Sequence, residues 1–264
     1  MGKLIFIAGQ LNVEIHTQET GIHSGSKKIV AEPRITLGGR AYRQAMYSKD
    51  LGMNVILLGS IGDDYYGKLI RESLEKAGIS TSYIKDFHDK NTGMSIEICS
   101  ENRQIRRYFS PGANLNDGEF QVPIDYYLHL CDAVIVNKWC NFNLRQQILQ
   151  AAHNNSIPNI YVRSGFPDEE EQNLPIEYLL LDFSDKESDA VIESLKMKSC
   201  PVQKGIFIRM KGEIIVLAPT GEEFCRVDAA PESNTDWIVS RIMAKLDPKI
   251  KLNETISFES LFAC

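Results

Sequence analysis

The sequence predicts an α/β protein: a doubly wound, mainly parallel sheet flanked by helices, with a small second β-sheet at its side. Three observations predict it. Short apolar runs and amphipathic stretches alternate along most of the chain, the order that gives parallel strands joined by crossover helices. Two segments, at about residues 13–36 and 92–110, instead alternate polar and apolar residues between turn formers, as exposed antiparallel strands do. The length of 264 residues and the 43% hydrophobic content suffice for a full core, so residues 1–264 read as a single domain.

The elements follow in order. "KLIFIAG" is a buried strand, "RAYRQAMYSKDLG" a helix ending at Gly52, and "NVILLGSIG" a second buried strand. "DYYGKLIRESLEKAGI" has the helical period, with Leu69, Ile70, Leu74 and Ala77 near one face and Gly78 as its stop. "DAVIVN", "NIYVRS", "YLLLDF", "GIFIRM" and "EIIVLAP" are further buried strands, with "NLRQQILQAAHNN" and "SDAVIESLKM" as helices between them. The acidic "PDEEEQN", residues 167–173, reads as a solvated loop.

Composition excludes several classes. No run of about 18 apolar residues occurs, and the first apolar stretch is too short for a secretion signal, so the expected location is cytoplasmic. The six cysteines, Cys99, Cys131, Cys140, Cys200, Cys225 and Cys264, are irregularly spaced and read as free thiols; no metal site is assigned. A net charge of -6 argues against nucleic acid as a partner.

Four motifs then stand in a telling order: "GQLNVE" after the first strand, "LGGRAYRQA", "LLGSIGDDYYGKLIRESLEKAGIST" and "SPGAN". In this the chain resembles the ribokinase family of carbohydrate kinases, the phosphofructokinase-B type. The resemblance implies a ribokinase-like core with a β-sheet lid, formed by the two alternating segments, that closes over a sugar or nucleoside. It implies ATP, with Mg²⁺, at the carboxyl ends of the strands, an aspartate as base, and a glycine-rich helix start for the transferring phosphate. Phosphoryl transfer needs alignment and charge stabilisation above all, and glycine lets backbone N–H groups approach the anion. A homodimer through the lid is implied as well.

Carried over by position, the resemblance assigns substrate binding to Glu14, where the family usually has an aspartate, and to Gly38 and Gly39. Arg43 stands where the family has asparagine, and is either a substrate contact or an exposed helix position. Arg40, Arg43, Arg103, Arg106 and Arg107 would suit an anionic ligand such as a sugar phosphate if they converge; alternation lets only one of Arg106 and Arg107 face the cleft, and Arg107 is the candidate. On the nucleotide side the N-x-x-E motif lines up with Asp182 and Asp185, with helix capping as the other reading.

The last motif, D-x-x-G-A-G-D, lines up with "VDAAPESNTDW". Asp236 matches the base if two extra residues are allowed; otherwise Asn234 takes that position, and an amide cannot accept the proton. Ordinary N-capping is the alternative role for Asp236. Every glycine is gone, and Pro231 brings no N–H. Only 28 residues follow Asp236, fewer than the family uses to complete an adenine pocket, so weak or absent ATP binding is expected. Two functions remain open: a kinase-like protein with reduced or lost phosphoryl transfer that binds a sugar, a sugar phosphate or a protein, and an active sugar or nucleoside kinase using Asp236, Mg²⁺ and ATP.

Overall fold

The computed structural model describes residues 2–100, 102, 104–115, 123–183, 191, 202–228 and 234–245. The chain runs β1 (Leu4–Ala8), β2 (Asn12–Ser24), β3 (Lys27–Val30), β4 (Arg34–Gly38), α1 (Arg40–Asp50), β5 (Asn54–Gly62), α2 (Tyr65–Lys76) and β6 (Ile84–Phe87). It continues through β7 (Gly93–Cys99), β8 (Ile105–Ser110), α3 (Ile124–Leu128), β9 (Ala133–Asn137), α4 (Phe142–Asn154), β10 (Asn159–Ser164) and β11 (Ile176–Asp182). It closes with β12 (Val202–Arg209), β13 (Glu213–Leu217), β14 (Glu223–Asp228) and a last described helix, here α5 (Thr235–Lys245).

The main sheet has nine strands in the order β14-β13-β12-β11-β10-β9-β1-β5-β6. All its pairs from β12 to β6 are parallel, and β13 and β14 add an antiparallel edge. This is the doubly wound architecture that the alternation predicts. Its strands read as unbroken apolar runs because both faces are covered. Ile5 and Ile7 of β1 pack with Ala41, Ala45, Ile70, Leu74, Ile238 and Ile242 from α1, α2 and α5. Phe6 and Ala8 pack on the other face with Leu128, Leu144, Ile148 and Ala152 from α3 and α4. Chain order reverses at β1, which lies between β9 and β5, and ligand crevices in such sheets form at the carboxyl ends beside this reversal.

Sequence reasoning passed over β6, β14 and α3. The two strands lie at the edges of the sheet and carry polar residues, "IKDF" and "EFCRVD", so they lack the apolar signature of the inner strands. The helix expected over "SDAVIESLKM" falls, apart from Val191, outside the described residues. The "PDEEEQN" segment requires correction: it is a short 3-10 turn, and its Glu171 is 2% exposed rather than solvated. The cause is Arg145 and Arg163, two buried cations on neighbouring elements that draw this carboxylate inward.

Strands β3-β2-β7-β8, with β4 following β3 along the same edge of β2, make a second sheet of five strands. Cross-strand register sorts its two faces. Glu14, Ser95 and Phe109 share one face with His16, Glu97 and Arg107. Ile15, Ile35, Ile96 and Tyr108 share the other. At the root of this sheet Asn114 is buried and fully engaged: its amide donates to Asn12 Oδ1 at 2.8 Å and to the Pro111 carbonyl at 2.9 Å, and its oxygen accepts from Leu11 N–H at 3.0 Å. A Cβ on Gly93 would collide with both Asn114 and Asn12, which fixes that position as glycine. Asp64 caps α2 by accepting from Gly67 N–H at 2.8 Å, and also accepts from Thr92 N–H and Thr92 Oγ1, both at 2.7 Å. The "GSIGDDYYG" and "SPGAN" motifs thus tie the small sheet to the main one.

Candidate functional site

The glycine pair sets up the site. Gly39 has φ 90°, a conformation natural to glycine, and any Cβ there would strike the Gln10 carbonyl. A Cβ on Gly38 would strike the Glu14 carboxylate. The pair therefore lets the start of α1 lie against both the end of β1 and Glu14, and Gly39 N–H donates to Glu14 Oε1 at 3.0 Å.

One turn into α1, Arg43 joins two acids from distant parts of the chain. Its Nη1 pairs with Glu14 Oε1, and its Nε donates to Asp236 Oδ2 at 2.7 Å. Arg40 extends the chain of ion pairs: Nη1 lies 3.6 Å from Asp236 Oδ1, while Nη2 donates to Asp182 Oδ2 at 2.5 Å and to Ser164 Oγ at 3.0 Å. The result runs Glu14, Arg43, Asp236, Arg40, Asp182, from the root of the small sheet to the carboxyl end of β11. Arg43 is accordingly no exposed helix position; its side chain is 29% exposed and spans two carboxylates.

Two further side chains hold Asp236. Gln44 Nε2 donates to Asp236 Oδ1 at 3.0 Å and to Asn137 Oδ1 at 3.0 Å, and Asn137 Nδ2 returns a bond to Gln44 Oε1 at 2.8 Å. Asn137 is fixed in turn by the Ala8 carbonyl at 3.0 Å. Sequence reasoning missed both amides, although a signal existed. Gln44 shares the buried stripe of α1 with Ala41, Ala45 and Ser48, and an amide on such a stripe needs partners.

The electrostatics agree with the geometry. Burial would raise the Glu14 carboxyl, but the Arg43 guanidinium and the Gly39 N–H outweigh it and hold it below its ordinary range. Burial would weaken both guanidinium cations, yet Asp236 and Glu14 raise Arg43, and Asp236 and Asp182 raise Arg40. The two cations are already neutralised from within, which removes the driving force for an anionic ligand at this point.

The other candidates lie apart. Arg107 does share the Glu14 face of the small sheet, but it is half exposed and donates to Glu97 Oε2 at 2.9 Å. Arg106 is on the opposite face, 3.8 Å from Glu19. Asn234 is the N-cap of α5, accepting from Trp237 N–H at 2.9 Å and donating to Tyr47 OH at 2.7 Å. Asp185 and Arg103 lie outside the described residues.

At the carboxyl ends of β1, β5 and β9 a cavity of about 10 Å³ is lined by Gly9, Gly59, Ser60, Asn114, Trp139 and Asn141, room for no more than a water. Above it, Phe109 of the small sheet meets Trp139 of the main one, with ring centroids 5.0 Å apart. A hollow of about 850 Å³ opens between α3 and α4 and touches none of the ion-paired residues. Among the described residues no three His, Cys, Asp or Glu side chains converge as metal ligands. Asp182 Oδ2 is engaged by Arg40, and Asp185 lies outside the described residues.

Comparison with known proteins gives a consistent picture. The family model described as pfkB family carbohydrate kinase matches residues 3–180. A ribokinase of Schizosaccharomyces pombe is 27% identical over 161 residues, 58% of this chain and 51% of that protein, so the chain spans about half of that relative. Among solved structures, Arabidopsis thaliana ribokinase complexed with ribose and ATP superposes with a TM-score of 0.75 at 17% identity, covering 92% of this chain and 86% of that one. Ribokinase of Cryptococcus neoformans var. grubii in complex with ADP gives 0.73 at 18% identity, with 92% and 86% covered.

Proposed function

The chain belongs to the pfkB family of carbohydrate kinases, and from that premise we propose that it is a ribokinase-like protein whose phosphoryl transfer is reduced or lost. One observation carries the reading. Both oxygens of Asp236 are engaged, Oδ2 by Arg43 and Oδ1 by Gln44 and Arg40, and the residue is 2% exposed. A base must reach a substrate hydroxyl within about 2.6–3.2 Å with a free lone pair. Here a guanidinium stands in the way. Loss of a base removes about 10²–10⁴-fold and loss of an anion-stabilising donor about 10²–10³-fold, effects that do not simply multiply.

The competing reading is an active sugar or nucleoside kinase with Asp236 as base and Mg²⁺ and ATP as cofactors. The place of Asp236 in the first turn of α5, beside Glu14 and the glycine pair, favours it. Phosphate release from ATP with D-ribose and other polyols separates the two, with titration of Mg²⁺-ATP alongside. We expect no nucleotide heat and a residual rate that Asp236→Asn leaves unchanged. A wild-type rate that Asp236→Asn lowers about 10²-fold or more would establish the kinase.

Binding, then, is the activity that the reading keeps, and the ion pairs within the cleft favour a protein over a sugar phosphate. For a protein, the outer face of the small sheet offers Ile35 and Tyr108, each about half exposed, beside Ile15 and Ile96. A second copy is the partner proposed there. Sedimentation at micromolar concentration is expected to show a dimer, and Ile35→Glu with Tyr108→Glu a monomer; a wild type that runs as a monomer would exclude this contact. No described helix is long and apolar enough to cross a membrane, and Cys99, Cys131, Cys140 and Cys225 are free thiols, which suits the proposed cytoplasmic setting.

A further inference from the structure

The ion chain does more than obstruct a base. Glu14 belongs to the small sheet, while Arg43 and Asp236 belong to helices of the main body, so the Arg43–Glu14 pair crosses from one to the other and the Arg43–Asp236 pair anchors it in the body. Glu14 also accepts from Gly39 N–H at the start of α1, Phe109 of the small sheet meets Trp139, and the Asn114 and Asp64–Thr92 bonds join the two sheets at their root. We propose that Arg43 is an internal ligand: its guanidinium takes the place of a bound polyol between the small sheet and the body and keeps the small sheet closed with no substrate present. Arg43 is in this sense a positioning residue.

The chemistry supports the substitution. A polyol bridging two carboxylates would donate one hydroxyl hydrogen to each, and a guanidinium supplies the same two donors with a charge that both acids prefer. The donors are covalently held, so no translational freedom is lost each time the cleft closes. Gly38 and Gly39 are kept by the same arrangement, since a side chain at Gly38 would displace Glu14. Closure that depends on an internal arginine presents the outer sheet face permanently. That suits a binding protein better than an enzyme, which must open to release product. The inference rests on the reading of a silenced cleft.

Amide hydrogen exchange on the full chain tests it. In wild type, β2, β4, β7 and β8 should exchange at rates that D-ribose does not change. Arg43→Asn and Glu14→Ala each remove the crossing; Glu14→Ala leaves the Arg43–Asp236 pair inside the body intact, which guards against a variant that fails to fold. In both, those four strands should exchange about tenfold faster or more while β9, β10 and β11 stay protected. Wild-type exchange in the small sheet of either folded variant overturns the proposal, as does further protection of the wild-type sheet by D-ribose. Phosphoryl transfer by the wild type would instead strike the reading of a silenced enzyme and leave the exchange result to be judged by itself.

Discussion

Asp236→Ala is expected to lower stability by about 3 kcal/mol, since removing one partner of a buried ion pair leaves the other charge uncompensated. The value is placed at the low end because Arg43 keeps Glu14 and Arg40 keeps Asp182 after the change. Gln44, fully buried, loses one acceptor and keeps Asn137. For a chain of this size the midpoint of thermal unfolding should fall by about 2–4 °C for each kcal/mol. The sign separates the two functional readings. A catalytic carboxylate held ready for a substrate is commonly a strained feature, and its removal costs activity while leaving stability equal or higher. An acid that anchors two arginines costs stability. Urea unfolding of wild type, Asp236→Ala and Asp236→Asn decides it, with Asp236→Asn intermediate because an amide keeps an oxygen for Gln44 but gives up the charge. A variant as stable as wild type would return Asp236 to the role of a waiting base.

The same residue shows what the sequence could and could not reveal. The inner strands of the main sheet, the small second sheet and the glycine-led motifs were legible because they follow from local periodicity and from backbone positions that only glycine fills. The "GSIGDDYYG" and "SPGAN" motifs kept their form because Asp64, Thr92 and Asn114 tie the small sheet to the main one, a need that survives any loss of chemistry. Glu14, Gly38, Gly39, Asp182 and Asp236 were picked out singly, and all lie in one cluster. What could not be read was who holds whom. Arg43 and Asp236 are 193 positions apart, and nothing in local sequence says that a cation in place of an amide will neutralise two acids rather than recognise an anion. Arg107 is another case. Alternation left one of Arg106 and Arg107 for the Glu14 face without saying what it meets there; Arg107 is on that face and donates to the cross-strand Glu97.

Glu171→Ala should prove as costly as any single change in the molecule, at about 4 kcal/mol. This acid lay in a segment whose composition suggested a solvated loop, and it is instead the shared anion of a buried group. Arg145 Nη1 donates to its Oε1 at 2.8 Å, Arg163 pairs with its Oε2, and the Tyr161 hydroxyl donates to Oε1 at 2.5 Å. Its second oxygen also accepts from Asp168 N–H at 3.0 Å, which folds the acidic turn back on itself. Burial pushes the Tyr161 hydroxyl up to about 12 in spite of the neighbouring arginines, so it remains a donor throughout the neutral range. Without Glu171, Arg163 retains only Asp168, at 3.4 Å and largely in solvent, and Arg145 retains Tyr161 and the face of the Phe142 ring. Two cations would then lie in the interior with one weak acid between them. Glu171→Gln keeps the shape and the acceptor to Tyr161 and should lose about half as much, since a hydrogen bond to a charged group is worth about 1.5–3 kcal/mol. Denaturant midpoints measure both. Because this group sits beyond the ion chain of Arg43, its loss should leave exchange in β2, β4, β7 and β8 unchanged relative to β9 and β10. An effect below about 1 kcal/mol for Glu171→Ala, the level of a surface pair, would mean that the segment is solvated after all.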